Sequence, residues 1–299
     1  MRFNMHEQLS VAEPYRLDLT ADALRRLAAN VVDVVGEDGA YYRALRDERG
    51  TSLMRVFQAG DGTLDIRGTG RDAERFLPTL ERMLGTAVLL DGWQRRAGRI
   101  PWLGRLARAL RGLKPPRYPQ LWEACVNAVV FQQISIHAAG SIIRRMVEAH
   151  GEIVTHDDVR CIVFPSAEQI LNASDESLRE AGLSTNKRAH LRSIAEAIVS
   201  GVLQEEEIAS LSTPEAAKRL AQTRGIGPWS AAVILLRGFG RLDTFPLKDS
   251  GVARSVKLLS GDDTVDVDAV LETLGPLRGM LYYHLLLGRT RNLVPLPQD

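Results

Sequence analysis

The chain contains 299 residues, and its 38 lysines and arginines nearly balance its 37 aspartates and glutamates, so the formal net charge is +1. Apolar residues make up 45% and charged residues 25%, which is typical of a globular protein and excludes collagen-like, disordered and disulfide-scaffold chains. The near-neutral charge argues against a uniformly basic surface but leaves room for a local basic patch. At about 100–200 residues per domain, the length predicts two domains, or three small ones.

The two cysteines, Cys125 and Cys161, both stand among apolar residues, which favours core-filling thiols. No Cys-x-x-Cys motif and no histidine cluster indicates a zinc site or an iron–sulfur cluster. The first residues lack the apolar segment of a signal peptide. No window reaches the length of about 18 apolar residues that a membrane span needs. We therefore expect a reduced, cytoplasmic location and no contact with a membrane.

Residues 1–85 mix strand and helix patterns. The predicted elements, in chain order, are a strand (15–19), a helix (21–35), a strand (41–46) that turns at 47–50, a hairpin of 53–59 with 63–68, and an amphipathic helix (72–84) closed by Gly85. Gly60-Asp-Gly62 supplies the hairpin signal. We expect a small antiparallel sheet that carries two helices.

From Gly92 onward the pattern is helical, and Gly- or Pro-marked loops separate the helices. The dipeptides Pro115-Pro116 and Tyr118-Pro119 precede a long helix that is predicted to begin near Leu121. The fold class is therefore α+β: an N-terminal α+β domain over 1–90 and an α-helical region over 91–299, with two helical subdomains.

One stretch, 94–117, is strongly basic and contains no acidic residue. Its eight cations are Arg95, Arg96, Arg99, Arg105, Arg108, Arg111, Lys114 and Arg117. The remainder of the chain therefore sums to −7. The stretch is either a solvated helix face or a surface for phosphates, with Arg105 and Arg108 as the test residues.

The most specific segment lies at about 214–238 and predicts a helix–hairpin–helix. Thr213, followed by Pro214, is predicted to cap the first helix. Gly225 and Gly227 permit a tight turn with positive φ, and Pro228 suits the first turn of the second helix. Hairpin amides and a helix N-terminus at one spot would bind a phosphate oxygen without reading sequence. A simple turn between two helices is the alternative.

Asp249 follows this segment by about 20 residues, at the end of Phe245-Pro-Leu-Lys-Asp249. By itself it could be an ordinary N-cap. The combination Gly225-Ile-Gly-Pro-Trp229 with Phe245-Pro-x-x-Asp249, however, resembles the helix–hairpin–helix–Gly/Pro–Asp superfamily of DNA glycosylases, most closely its bacterial 3-methyladenine DNA glycosylase II type. The resemblance covers about 119–290 and includes Phe131-Gln-Gln-Ile-Ser135, the segment 181–189 and Tyr282-Tyr-His-Leu-Leu286. Residues 1–90 match more loosely.

The resemblance implies a glycosylase that flips a damaged nucleotide out of duplex DNA and hydrolyses its N-glycosidic bond. Asp249 would be the catalytic carboxylate, stabilising an oxocarbenium-like sugar and orienting water. Bifunctional members carry a nucleophilic lysine where this chain has Trp229, so we expect a monofunctional enzyme without a lyase step. We expect Lys248 to contact phosphate or solvent.

The resemblance also assigns a lesion pocket and a DNA surface. The expected pocket residues are Trp229, Phe131, Tyr282, Tyr283 and Leu286; His284 could contribute as well. Trp229 could instead pack under the hairpin, and any of 282–284 could belong to the core. Val233, Ser250 and Leu286 stand where pocket positions of the bacterial enzyme are often aromatic, so the resemblance does not specify which damaged base is the substrate. Gln133 is the expected wedge in the duplex. The remaining expected DNA contacts are Gln132, Ile134, Lys187, Arg188, Gly225, Ile226, Gly227, Ser230 and Lys248.

The expected partner is double-stranded DNA with damaged bases, bound by a monomer in the cytoplasm, associated with the nucleoid. No cofactor is required, although the resemblance implies that the carbonyls of Thr223 and Ile226 could hold Na⁺ or K⁺. Alkylated bases of the 3-methyladenine and 7-methylguanine type are the expected substrates. The alternatives are a glycosylase for oxidised or deaminated bases and a non-catalytic helix–hairpin–helix DNA-binding protein.

Overall fold

A computed structural model describes residues 2–60, 62–70, 72–247 and 249–293. Its N-terminal part is a five-stranded antiparallel sheet in the order β1-β5-β4-β3-β2. The strands are β1 (Phe3–Ser10), β2 (Asp33–Val35), β3 (Tyr41–Asp47), β4 (Gly50–Gly60) and β5 (Thr63–Thr69). The predicted hairpin is confirmed, because β4 pairs with β5 and places Gly60 opposite Thr63.

Helix α1 (Leu17–Arg25) replaces the strand that was predicted at 15–19, and the helix predicted over 21–35 ends ten residues early. The alternation was misleading because α1 is buried on two sides. Leu17 and Leu24 pack into one hydrophobic core, whereas Leu19 and Ala23 pack into another. The edge strand β1 was not predicted; of its eight residues only Met5 is buried, so it carries little apolar pattern.

The remaining elements are mostly helical. They are α2 (Leu77–Leu84), α3 (Trp93–Ala97), α4 (Pro101–Ala109), α5 (Leu121–Val130), α6 (Ile136–His150), β6 (Ile153–His156), β7 (Val159–Ile162), α7 (Ala167–Asn172), α8 (Asp175–Glu180), α9 (Thr185–Val199), α10 (Glu205–Ser210), α11 (Thr213–Ala221), α12 (Pro228–Phe239), α13 (Ser250–Ser260), α14 (Val267–Leu274) and α15 (Met280–Thr290). Gly85 ends α2 at φ +60°, as predicted. The β6–β7 hairpin was not predicted, because four-residue strands are too short to show a period.

Two hydrophobic cores meet along α12, and their junction positions the candidate site. The first core joins the sheet to α5, α9 and α12; the second joins α3 and α4 to α13, α14 and α15. Leu235 of α12 belongs to the first core and Leu236 to the second. Both cysteines are buried and unpaired, as predicted. Among the helices of the described residues, none is long and apolar enough to cross a membrane.

Candidate active site and DNA interface

Asp249 is the N-cap of α13, and its carboxylate is held by three N–H groups. Its Oδ1 accepts the backbone N–H of Gly251 at 2.7 Å and of Val252 at 3.2 Å. Its Oδ2 accepts the indole Nε1–H of Trp229 at 2.9 Å. The N-cap interpretation is therefore correct but incomplete. This carboxylate is fixed at the N-terminus of a helix and is still partly exposed. It can therefore face a positive charge that develops on a bound substrate.

Trp229 lies in the first turn of α12, directly after the hairpin. It is half-buried and packs against the first core, while its indole N–H reaches Asp249. The expected packing of Trp229 beside the hairpin is therefore observed, whereas its role as a wall of the lesion pocket stays a prediction. Val233, one turn further along α12, is buried in the core and does not line the site, contrary to the expectation.

The helix–hairpin–helix comprises α11, the turn and α12. Ser212, not Thr213, caps α11, through a reciprocal capping box with Glu215. Gly225 has φ +98°, and a Cβ added there would stand 2.5 Å from Cβ of His190. Gly227 was predicted to permit positive φ as well, but it adopts φ −87°. A Cβ added at Gly227 would meet no atom of the protein within 4 Å. Glycine at this position therefore relieves no strain, and it leaves the backbone uncovered, so that a ligand can approach it closely.

The loop between α5 and α6 docks on the hairpin through Gln132. Its Nε2 donates to the Gly225 carbonyl at 3.1 Å and to Ser230 Oγ at 2.7 Å. Ser230 is buried, so Gln132 and Ser230 hold the two loops together, which favours a structural role for both over the expected contact with DNA. Gln133 is exposed and has φ +59°, a strained conformation for a residue other than glycine. Ile134 beside it is 38% exposed.

Helix α15 forms the opposite wall. Tyr282 and Leu286 are half-buried on one face of this helix. Arg289, one turn further along α15, donates from Nη1 to the hydroxyl oxygen of Ser255 in α13. The same Nη1 lies close to Gly251, at 3.9 Å from the position that a Cβ would take there. The face that carries Tyr282 and Leu286 therefore runs toward the first turn of α13, where Asp249 lies.

Arg26 connects these walls, and sequence reasoning missed it. It ends α1, its Nη2 donates to the Tyr282 hydroxyl at 3.2 Å, and its Cζ lies 4.0 Å from the ring centroid of Phe131. It stands outside every recognised motif, so no signal in the sequence singled it out. Pairwise contacts and chain neighbours therefore link the candidate residues from α13 to α15, in the order Asp249, Trp229, Ser230, Gln132, Phe131, Arg26 and Tyr282.

The helical region from Val126 to Leu277 matches the family model described as the HhH-GPD superfamily of base excision DNA repair proteins, over residues 126–277. The chain belongs to this superfamily. The match contains the hairpin, Trp229 and Asp249, which are the parts that the geometry places together.

Relatives and a solved structure agree with this family. The chain is 33% identical to a DNA-3-methyladenine glycosylase of Bacillus subtilis over 53% of its own length and 52% of that protein. It is 30% identical to DNA-3-methyladenine glycosylase 1 of Schizosaccharomyces pombe over 52% of its own length and 66% of that protein. The chain thus spans only half to two thirds of these relatives. The 3-methyladenine DNA glycosylase structure from Archaeoglobus fulgidus superposes with a TM-score of 0.79 at 24% identity, covering 94% of this chain and 98% of that one, which shows a common fold.

Four further residues that the superfamily resemblance assigned to the site or to DNA are engaged elsewhere. Tyr283 is fully buried and donates to the carbonyls of Pro116 and Leu236, so it belongs to the core. His284 is also buried and accepts the indole N–H of Trp93; burial lowers its pKa to about 4.

Lys187 and Arg188 are the other two. Lys187 donates to the carbonyls of Val130 and Gln132, at 2.7 and 3.1 Å, and thereby caps the C-terminal end of α5; burial lowers its pKa. Arg188 pairs with Asp175. Both cations are therefore already bound within the protein, which favours a structural role over the expected contact with phosphate. Lys248 lies outside the described residues.

The cations of the basic stretch 94–117 fall into two groups, those bound within the protein and those exposed on its surface. Three of its cations donate to main-chain carbonyls of the protein: Arg96 to Thr273, Lys114 to Val88 and Arg117 to Phe239. Burial lowers the pKa of the Lys114 ammonium. Arg95, Arg99, Arg108 and Arg111 are exposed, and Arg105 is half-buried. The stretch is therefore partly internal scaffolding, and its exposed remainder is smaller than the sequence suggests.

Proposed function

We propose that the protein is a monofunctional DNA glycosylase of base excision repair that removes alkylated bases, of the 3-methyladenine and 7-methylguanine type, from duplex DNA. The observation that carries the proposal is the partly exposed Asp249 carboxylate, held by two backbone amides and by Trp229, which directly follows the hairpin. The names of the relatives support the substrate class.

Asp249 supplies the chemistry. Cleavage of the N-glycosidic bond builds positive charge on the sugar, and a carboxylate beside the anomeric carbon stabilises that charge. The same carboxylate can orient or deprotonate the attacking water. An alkylated base already carries positive charge and leaves with little help from an acid, so one carboxylate is sufficient. The three N–H donors keep the carboxylate from turning away from the sugar.

Trp229 accounts for the absence of a lyase step in the proposal. A lyase needs an amine that attacks the sugar and forms a Schiff base. The indole at this position has no nucleophilic nitrogen, and its N–H is already donated to Asp249.

Gln133 and the hairpin provide the hold on DNA. An exposed side chain on a strained loop tip is suited to enter the gap that a flipped nucleotide leaves in the duplex. The approach left open at Gly227, together with the N-terminus of α12, suits a backbone phosphate. This mode needs no two-fold symmetry, so we propose a monomer that acts on chromosomal DNA in the cytoplasm.

The hairpin carbonyls of Thr223 and Ile226 could also hold Na⁺ or K⁺. The Thr223 carbonyl accepts the N–H of Ile226 at 3.1 Å, and its second lone pair remains available to a cation. Neutral carbonyl oxygens suit a hard cation. No group of three or more His, Cys, Asp or Glu in the described ranges is placed to hold a metal ion.

The test is a lesion panel. Duplexes that carry 3-methyladenine, 7-methylguanine, hypoxanthine or 8-oxoguanine are incubated with the protein, and released bases are separated by chromatography. We expect release of the methylated purines. Parallel reactions with borohydride should trap no protein–DNA adduct. A trapped adduct would contradict the monofunctional assignment, and binding without release of any base would favour the non-catalytic alternative.

A further inference from the structure

Gln132 lies where two loops of the fold meet. It belongs to the loop 131–135 between α5 and α6, and its side-chain amide donates to the Gly225 carbonyl at 3.1 Å and to Ser230 Oγ at 2.7 Å. Both N–H groups of the amide are therefore used, and both acceptors lie in the helix–hairpin–helix. The next residue, Gln133, is exposed. A single side chain thus connects the hairpin to the tip of the neighbouring loop.

The backbone at this tip is strained and needs support. Gln133 adopts φ +59°, a left-handed conformation that residues other than glycine rarely take. Such a conformation persists only where the surrounding structure fixes it. Lys187 fixes the main chain just before the tip, through the carbonyls of Val130 and Gln132. The Gln132 side chain adds the anchor to the hairpin, and it is the anchor that adjoins the strained residue directly.

The two loops also share a support in α9. Lys187 of α9 holds the loop 131–135, and His190, about one turn further along the same helix, packs against the hairpin. A Cβ added at Gly225 would stand 2.5 Å from the His190 Cβ, so the turn lies directly on this helix. Helix α9 therefore fixes the base of each loop. The amide of Gln132 crosses directly from one loop to the other and sets the position of the tip relative to the hairpin.

The hairpin side of this bridge leads to the candidate catalytic carboxylate. Ser230 follows Trp229 in the first turn of α12, and the indole N–H of Trp229 donates to Asp249 Oδ2 at 2.9 Å. Ser230 is only 1% exposed, so its hydrogen bond with Gln132 is shielded from water, which makes its loss more costly. Two adjacent residues of one helical turn therefore hold the loop tip on one side and the carboxylate on the other.

We infer that Gln132 is a positioning residue that keeps the tip residue Gln133 in register with Asp249. Gln132 acts through Gln133 and touches neither the substrate nor the reacting atoms. The inference rests on the proposed glycosylase function, in which Gln133 enters the gap that the flipped nucleotide leaves. Misplacement of reacting groups by about 1 Å can cost about 100-fold in rate. A tip that is free to shift should therefore slow base release, while the phosphate contacts at the hairpin remain.

The experiment separates positioning from general stability with two substrates. One duplex carries a single 7-methylguanine opposite cytosine, and the other carries it opposite an abasic-site analogue, where no base pair holds the lesion in the helix. Single-turnover release and duplex binding are measured for the wild type, Gln132→Met, Gln133→Ala and the double variant. Methionine has nearly the length of glutamine but no donor.

A matched control and a second variant keep the test decisive. Gln58 also donates from Nε2 to two main-chain carbonyls, those of Tyr15 at 2.9 Å and Gly60 at 3.2 Å, but it lies in the N-terminal sheet. Gln58→Met is therefore the control for the loss of a bridging glutamine. Thermal melting of each variant is recorded. Ser230→Ala, which removes one acceptor of the same bridge, serves if Gln132→Met does not fold.

We expect Gln132→Met to slow release from the paired duplex by about tenfold or more. Release from the unpaired duplex should fall by less than about threefold, because an unpaired lesion leaves the helix more easily. Duplex binding should stay within about threefold of wild type, since phosphate contacts dominate affinity. The double variant should be no slower than Gln133→Ala, because the two residues act as one unit. Gln58→Met should leave both rates unchanged.

Three results would overturn the inference. Equal losses on the two duplexes would indicate a general structural defect. Additive losses in the double variant would mean that Gln132 does not act through Gln133. An unchanged rate on the paired duplex for either single variant would mean that the tip or its anchor is dispensable, while the proposed glycosylase function would stand. A wild type that releases 7-methylguanine from neither duplex would refute that function and the inference with it.

Discussion

Replacing Asp249 by asparagine separates the chemistry of the site from its architecture. Asparagine caps a helix as well as aspartate does, so its single acceptor oxygen can keep the hydrogen bonds from Gly251 and Val252. Its amide nitrogen then faces the indole N–H of Trp229, and that hydrogen bond is lost. The expected cost in the free energy of unfolding is about 1 kcal/mol.

The expected cost in rate is much larger, because the variant removes the negative charge. Two unit charges about 4 Å apart at a partly exposed site, with an effective dielectric constant near 20, attract each other by about 4 kcal/mol. Asp249 is partly exposed, so this regime applies. At about 1.4 kcal/mol per tenfold in rate, Asp249→Asn should slow base release by about 10³-fold.

The assay is single-turnover release of 3-methyladenine, with binding to an abasic-site duplex measured in parallel. Binding should remain close to wild type. The control is Asp266→Asn, because Asp266 caps α14 with the same pattern, accepting the N–H groups of Asp268 at 2.9 Å and Ala269 at 3.2 Å. Its replacement should leave the rate unchanged. Retention of more than a tenth of the wild-type rate by Asp249→Asn, or an equal loss in the control, would refute the reasoning.

Four further substitutions have expected outcomes. Gly225→Ala should lower the free energy of unfolding by about 2 kcal/mol or more, because alanine is strained at φ +98° and its Cβ would contact His190. Gly227→Ala, by contrast, should leave the melting temperature unchanged and weaken duplex binding measured by fluorescence anisotropy. Lys187→Met should cost about 2 kcal/mol in urea unfolding, since two carbonyls lose their donor, and should leave the salt dependence of DNA binding unchanged. Burial lowers the pKa of His284 from 6.5 to about 4, so the unfolded chain binds a proton at this residue before the folded chain does. The free energy of unfolding should therefore fall by about 3 kcal/mol as the pH drops from 6.5 to 4. His284→Gln should make this loss smaller in unfolding measured across that pH range.

The helical region was predictable because its signals are local. The hairpin, the cap at Asp249 and the glycine that ends α2 each depend on residues close together in the chain, and the structure places all three where the sequence predicts them. The N-terminal elements were predicted less well. Their periodicity was obscured where α1 packs into two cores at once.

The sequence by itself determined the superfamily, the helix–hairpin–helix and the candidate carboxylate, because those depend on backbone conformation at a few glycines, prolines and one aspartate. Only the tertiary structure decided which polar side chains are free. In the sequence, nothing distinguishes Lys187, Arg188 and Gln132 from side chains that contact DNA. In the structure, Lys187 donates to main-chain carbonyls, Arg188 pairs with an aspartate, and Gln132 donates to the neighbouring hairpin. Arg26 carries no motif, and it became notable only through its contacts with Phe131 and Tyr282, which are distant from it in the chain. Whether a charge is used internally depends on contacts between residues distant in the chain, and composition and spacing do not encode those contacts.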